Sequence, residues 1–130
     1  MKTIMMVACM SMMVLAGGCH LGGRRGAPID SIEGCTVQIV GDKTMKNIVM
    51  RAAHQKLWVP QAIDDGTVRC TLNLRAHQVV VDVVYTESSF SIRYVSSENM
   101  KYDPASNTIS PKYNQWVRNL RREIIGQALK

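Results

Sequence analysis

The chain has 130 residues, 46% of them hydrophobic and 20% charged, a balance that suits one folded domain and excludes a disordered or fibrous protein. Sixteen Lys and Arg against ten Asp and Glu leave a formal charge of +6, which favours anionic partners. Six of the nine methionines fall in the first thirteen residues, so the Met-rich character belongs to one terminal segment and not to the domain.

Lys2 precedes an apolar run, Ile4 to Ala16, interrupted only by Ser11. The run is shorter than the roughly 20 residues that span a bilayer. A charged start, a short apolar centre and a small-residue exit read as a secretory signal peptide, expected over residues 1–18. The exit, Leu15-Ala16-Gly17-Gly18-Cys19, resembles the lipobox of bacterial lipoproteins. That resemblance implies cleavage before Cys19, a thioether from its thiol to diacylglycerol, and acylation of the new N-terminus. The alternative is an ordinary signal peptide cut near Gly18, or an uncleaved anchor helix. With His20 rather than Asp after the acceptor, the resemblance implies a lipid-anchored protein of the cell envelope, on the outer membrane facing the periplasm. Several acyl chains would make the anchor effectively permanent.

Residues 19–33 carry Gly22, Gly23, Gly26 and Pro28 around Arg24 and Arg25, a composition that reads as a flexible tether. Beside an anionic bilayer each arginine would add about 1 kcal/mol of attraction; otherwise they only solubilise the linker.

A single domain is expected over residues 34–130. Cys35 to Val40 alternates, with Cys35, Val37 and Ile39 on one face, and predicts a strand. Gly41-Asp42 ends it, and Asp42 or Thr44 caps a helix running to about Leu57, with Met45, Ile48, Val49, Ala52 and Leu57 as its apolar stripe. Trp58-Val59 opens a strand that Pro60 assigns to a sheet edge, and Asp64-Asp65-Gly66 marks a hairpin turn. Three alternating strands follow, over about residues 67–75, 79–86 and 90–95, separated by short polar breaks. Ser110-Pro111 caps a terminal helix whose stripe is Tyr113, Trp116, Val117, Leu120, Ile124 and Ala128. The order β-α-β-β-β-β-α is an α+β fold: an antiparallel sheet of four to five strands with both helices on one face. On the other face Arg69, Arg75 and Arg93 are expected to align, with Val80, Val84 and Val95 as a modest apolar patch.

With Cys19 lipidated, Cys35 and Cys70 remain as an even pair in an oxidising compartment. If their strands are neighbours a disulfide is available, worth about 4 kcal/mol in the chain-entropy model; otherwise they are two buried thiols. No residues point to catalysis or a cofactor. His20, His54 and His77 have no metal-ligand spacing. Ser88 and Ser89 lack a nucleophile elbow, Asp64 and Asp65 form a turn, and no glycine pair sits between a strand and a helix as a phosphate loop does. Export removes nucleic acid as the partner of the basic residues. The anionic partners that remain are the envelope's own surfaces, or another envelope protein.

Ser91-Ile-Arg-Tyr-Val-Ser-Ser-Glu-Asn-Met-Lys-Tyr-Asp103, then Ile109, then Tyr113-Asn-Gln-Trp-Val-Arg-Asn-Leu120, resembles a family of small bacterial lipoproteins with no established activity. The resemblance covers about a quarter of the chain and implies an envelope α+β domain. Asn99, Tyr102, Asp103, Tyr113, Asn114 and Trp116 could form a hydrogen-bonded lock between the last strand and the final helix, or line a small polar-aromatic pocket. The expected function is a membrane-anchored, non-catalytic binding or structural module that meets the membrane through its N-terminal lipid. The alternatives are a periplasmic small-molecule binder or enzyme using the Tyr102/Trp116 region, or an inhibitor of an envelope enzyme.

Overall fold

The structure, a computed structural model, describes residues 26–130. The expected leader, the acceptor Cys19 and the first part of the tether lie outside the described residues. The elements are β1 (Ala27–Pro28), β2 (Ile32–Thr36), α1 (Met45–Gln55), β3 (Trp58–Asp64), β4 (Thr67–Leu74), β5 (His77–Tyr85), β6 (Ser89–Glu98), β7 (Thr108–Ile109) and α2 (Pro111–Leu129). The class is α+β: a five-stranded antiparallel sheet in the order β2-β6-β5-β4-β3, with a small two-stranded ladder of β1 and β7 beside it.

Hairpin chemistry sets the meander. Gly66, at φ +90°, turns β3 into β4, and its carbonyl accepts from the Tyr85 N–H at 2.8 Å. Only Arg75 and Ala76 separate β4 from β5, since Leu74 pairs with His77. Between β5 and β6 the Thr86 hydroxyl accepts from the N–H groups of Ser88 and Ser89, closing an ST-type turn. Pro60 lies on β3, an edge strand, where a missing donor does least harm. The connection from β2 through α1 to β3 passes from one edge of the sheet to the other, because β2 and β3 are its opposite edges. Its cap is Thr44, which accepts from the Asn47 N–H at 3.3 Å. Ser110 caps α2, with Pro111 in its first turn.

Alternation decides the faces. Val68, Cys70 and Leu72 of β4, Val79, Val81 and Val83 of β5, and Phe90 and Ile92 of β6 point inward. They meet Met45, Ile48, Val49, Ala52 and Ala53 of α1 and Tyr113, Val117, Leu120, Ile124 and Ala128 of α2 in one core. Both helices therefore cover the same sheet face.

Three expectations are corrected. The first strand is β2, Ile32–Thr36, rather than Cys35 to Val40. Thr36 pairs with Ser89, the first residue of β6, so beyond it no strand lies opposite. Cys35, Val37 and Ile39 still pack on the core, held by hydrogen bonds from Val37 N–H to Ser88 O and from Val40 N–H to Ala128 O, both 2.8 Å. The tether also ends earlier than residue 33: Ala27 and Pro28 pair with Ile109 and Thr108. Asn114, buried in α2, accepts from the Asp30 N–H and donates to the Pro28 carbonyl, both at 2.9 Å, so the fold begins by residue 26. Finally, among the described residues Cys35 and Cys70 are free thiols with no disulfide between them. β6 and β5 stand between their strands, a separation of three strand spacings, about 14 Å. A disulfide needs Cα atoms within about 7 Å.

Candidate binding cleft

The outer sheet face carries a ladder of alternating charge. Asp82 lies between Arg69 and Arg93 in register. Arg69 makes a two-pronged pair with Asp82, Nε to Oδ1 at 2.8 Å and an Nη to Oδ2 at 2.9 Å. Arg93 makes another with Glu33 of β2, at 3.3 and 3.1 Å. These contacts hold the Glu33 carboxyl below its usual range through the Arg93 hydrogen bond and raise both guanidinium pKa values. The expected row of three arginines is not there. Arg69 and Arg93 share the face but spend their charge on carboxylates within it, and Arg75 belongs to the β4–β5 turn instead. Asp82 and its neighbours also divide Val80 from Val84, so no continuous valine patch forms. A face that satisfies its own charges has little left for an anionic partner.

Nor do the aromatic and polar residues near α2 make a single lock or pocket. The Asn99 side chain donates to the Ala76 carbonyl at 3.3 Å, and the His77 Nδ1–H donates to the Asn99 carbonyl at 2.8 Å; together they fasten the end of β6 to the β4–β5 turn. Tyr102 stacks on Tyr94 with ring centroids 4.5 Å apart. Tyr94 in turn meets Tyr113 edge-on at 5.7 Å. Tyr113 is buried, and burial drives its phenol pKa upward. Asp103 closes a small hairpin, exchanging backbone hydrogen bonds with Thr108 and accepting from the Ala105 N–H through its carboxylate. Asn114 faces the N-terminal segment. Trp116 looks the opposite way, its ring 6.1 Å from that of His77.

What does assemble around Trp116 is an amphipathic cleft of about 290 Å³ lined by Leu74, Arg75, His77, Lys112, Gln115 and Trp116. A smaller hollow of about 90 Å³ shares Leu74 and Trp116 and continues past Leu72 and Trp58 to Leu57 and Lys56. Its origin is simple. The inward face of β4 runs Val68, Cys70, Leu72, Leu74, but α1 has ended at Gln55, and around the last position stand Lys112, Gln115, Trp116 and Asn119 of α2. Leu74 is consequently 36% exposed, and Leu57, just beyond α1, is 73% exposed.

The cleft's cations are poorly compensated. Among the described residues no carboxylate lines the cleft, and neither Arg75 nor Lys112 is in an ion pair. Lys56 stands 4.0 Å from Glu123. α2 has no acidic residue in its first turn and presents Lys112 there instead, beside the positive pole of its own dipole, an arrangement that costs stability. Leu57 and Arg75 are held at φ +69° and +58°, a region that disfavours side chains with a Cβ. Both are turn conformations of the fold, Leu57 ending α1 just after its C-cap and Arg75 in the β4–β5 hairpin, and they leave an apolar side chain and a cation at the edge of one hollow. Arg75 and Trp116 were singled out from the sequence. Leu57 and Leu74 were not, because Leu57 reads as the end of a buried helix stripe and Leu74 as another inward strand residue.

A second hollow of about 290 Å³ lies between β2 and α2, lined by Asp30, Ser31, Ile32, Glu33, Cys35, Arg118 and Arg121. Here Arg118 is paired with Asp30. The Cys35 thiol is half-buried at this hollow, whereas Cys70 is sealed in the core. Burial pushes the Cys70 thiol up to about 12, with the Asp82 carboxylate adding to the effect. No group of three or more His, Cys, Asp or Glu able to hold a metal occurs among the described residues. Comparison with family models, with curated proteins and with solved structures finds no match to this chain.

Proposed function

We propose that the chain is a lipid-anchored protein of the bacterial cell envelope whose small α+β domain acts by binding rather than by catalysis. One observation carries this reading: the apolar run that ends in Leu15-Ala16-Gly17-Gly18-Cys19, with small residues leading to a thiol at the place where a lipoprotein signal is cut and acylated. No helix of the described residues is long and apolar enough to cross a membrane. In this reading attachment runs through the lipid on Cys19, and the anchor raises the domain's local concentration at one bilayer.

The binding surface that fits this role is the Leu57–Leu74–Trp116 cleft, with Arg75 and Lys112 at its rim. An anionic envelope surface or an acidic face of another envelope protein suits that chemistry. The outer sheet face is set aside because its arginines are internally paired. The Tyr102/Trp116 small-molecule alternative loses support, since Tyr102 stacks on Tyr94 while Trp116 lines a different hollow.

Metabolic labelling with palmitate tests the reading. Cells expressing the chain should yield a labelled product in the membrane fraction, and the Cys19→Ala variant should lose the label. A wild-type product that takes up no label and stays with the cytoplasmic proteins would overturn it.

A further inference from the structure

The position of the chain's exit relative to the cleft identifies what the cleft faces. β1 runs antiparallel to β7, Ala27 against Ile109, so Gly26, the first described residue, lies on the side of Ser110 and the start of α2. Gly26 lies so close to Ile109 that a Cβ there would meet its backbone at 3.1 Å. From this point contacts run directly to the cleft. The Ser110 N–H donates to the Met100 carbonyl at 2.8 Å, Asn99 precedes Met100, and the Asn99 carbonyl holds His77. Seven residue steps separate Cys19 from Gly26, a reach of at most about 25 Å, and Arg24 and Arg25 lie within them. A bilayer holding Cys19 then lies within about 25 Å of Gly26, at the start of α2, whose first turn supplies Lys112 to the cleft.

We propose that this end is the membrane-facing surface of the domain, and that the cleft engages anionic phospholipids of the bilayer that holds the anchor. The proposal rests on the lipid-anchored reading above. Arg75 and Lys112 would meet the phosphates. Leu57 and Leu74 would meet the upper acyl chains, and Trp116, an aromatic with one polar edge, suits the interface between them. Each cation beside an anionic surface raises affinity about fivefold. The domain would thereby be held against the membrane rather than swinging free on its tether.

The test uses the full chain purified from membranes and mixed with vesicles of brominated phosphatidylcholine, alone or with an equal part of brominated phosphatidylglycerol. Bromine quenches indole fluorescence on contact. Trp58 is only 2% exposed, so a quenched signal reports Trp116. The expected result is strong quenching that needs phosphatidylglycerol, disappears in Trp116→Phe, and falls several-fold in the Arg75→Glu/Lys112→Glu variant with an unchanged circular dichroism spectrum. Equal quenching with and without phosphatidylglycerol, or none in either, overturns the proposal using the unaltered chain alone. A Trp116 response to inorganic phosphate of the same size without vesicles would also overturn it, in favour of a soluble anion. Flotation separates the two readings. A chain that floats with both vesicle types but shows no quenching keeps its anchor and loses this surface. One that floats only with phosphatidylglycerol keeps the surface and loses the anchor, and one that floats with neither loses both.

Discussion

Asn114→Ala removes the side chain that ties the N-terminal segment to α2. Asn114 is 6% exposed; it accepts from Asp30 N–H and donates to Pro28 O, both at 2.9 Å. Each such bond contributes about 1 kcal/mol net. Pro28 is exposed and Asp30 half-buried, so water can reach the orphaned groups, and the full penalty of a sealed unsatisfied pair does not apply. The expected cost is therefore about 2 kcal/mol, a fall in Tm of about 10 °C for a domain of this size. The loss should be local before it is global. With the segment loosened, the Arg118–Asp30 pair and the β1–β7 pairing lose their frame, and the Asp30 amide should exchange hydrogen far faster while the amides of β4 and β5 keep their protection. Thermal unfolding by circular dichroism and hydrogen exchange by NMR measure the two effects. A Tm within 2 °C of wild type, with Asp30 exchange unchanged, would refute the argument that residues 26–33 belong to the fold.

The charge ladder on the outer face should be worth little. A double-mutant cycle over Arg69→Ala and Asp82→Ala is expected to give under about 1 kcal/mol of coupling, shrinking further in 1 M salt, because 40% of the Arg69 side chain is open to solvent; a salt-insensitive coupling of several kcal/mol would contradict this. Thiol counting checks the strand order: in the folded chain an alkylating reagent should modify Cys35 quickly and Cys70 only after denaturant, and reduction should leave the mass unchanged. Alkaline pH should destabilise the domain. The Cys70 thiol is raised from 9.0 to about 12 by burial, so the unfolded chain loses its proton first, and stability present below pH 9 drains away between about 9 and 12. In Cys70→Ala the onset should move toward pH 10, where the raised Tyr113 phenol begins to act in the same sense; denaturant midpoints measured across this range would show it.

Much of the fold was legible because alternation survives burial. The two-residue period of β4 and β5 and the stripe of α2 each mark a face that the core takes up unchanged, and Pro60 and Asp65-Gly66 act through local geometry alone. What escaped the sequence depended on partners far along the chain. Ala27-Pro28 looks like linker until Ile109 lies opposite and Asn114 reaches across 86 positions to the Pro28 carbonyl. Cys35 and Cys70 share the inward face, but the strand order that parts them is set by β2 joining the meander at β6. The three arginines had the right spacing for a basic face, and the identity of their neighbours, Asp82 and Glu33, was needed to neutralise it. The cleft was hidden for a different reason. It forms where an apolar strand face outruns the helices above it, and no local pattern encodes that mismatch of lengths.

The proposed anchor makes Cys19 the first residue of the mature protein. Intact mass and N-terminal peptide mass spectrometry of the chain extracted from cell membranes test it most directly. The expected polypeptide begins at Cys19, heavier by diacylglycerol and an amide-linked acyl group, with no species starting at Met1. A chain that retains residues 1–18, or begins at any other residue with an unmodified Cys19 thiol, would contradict it.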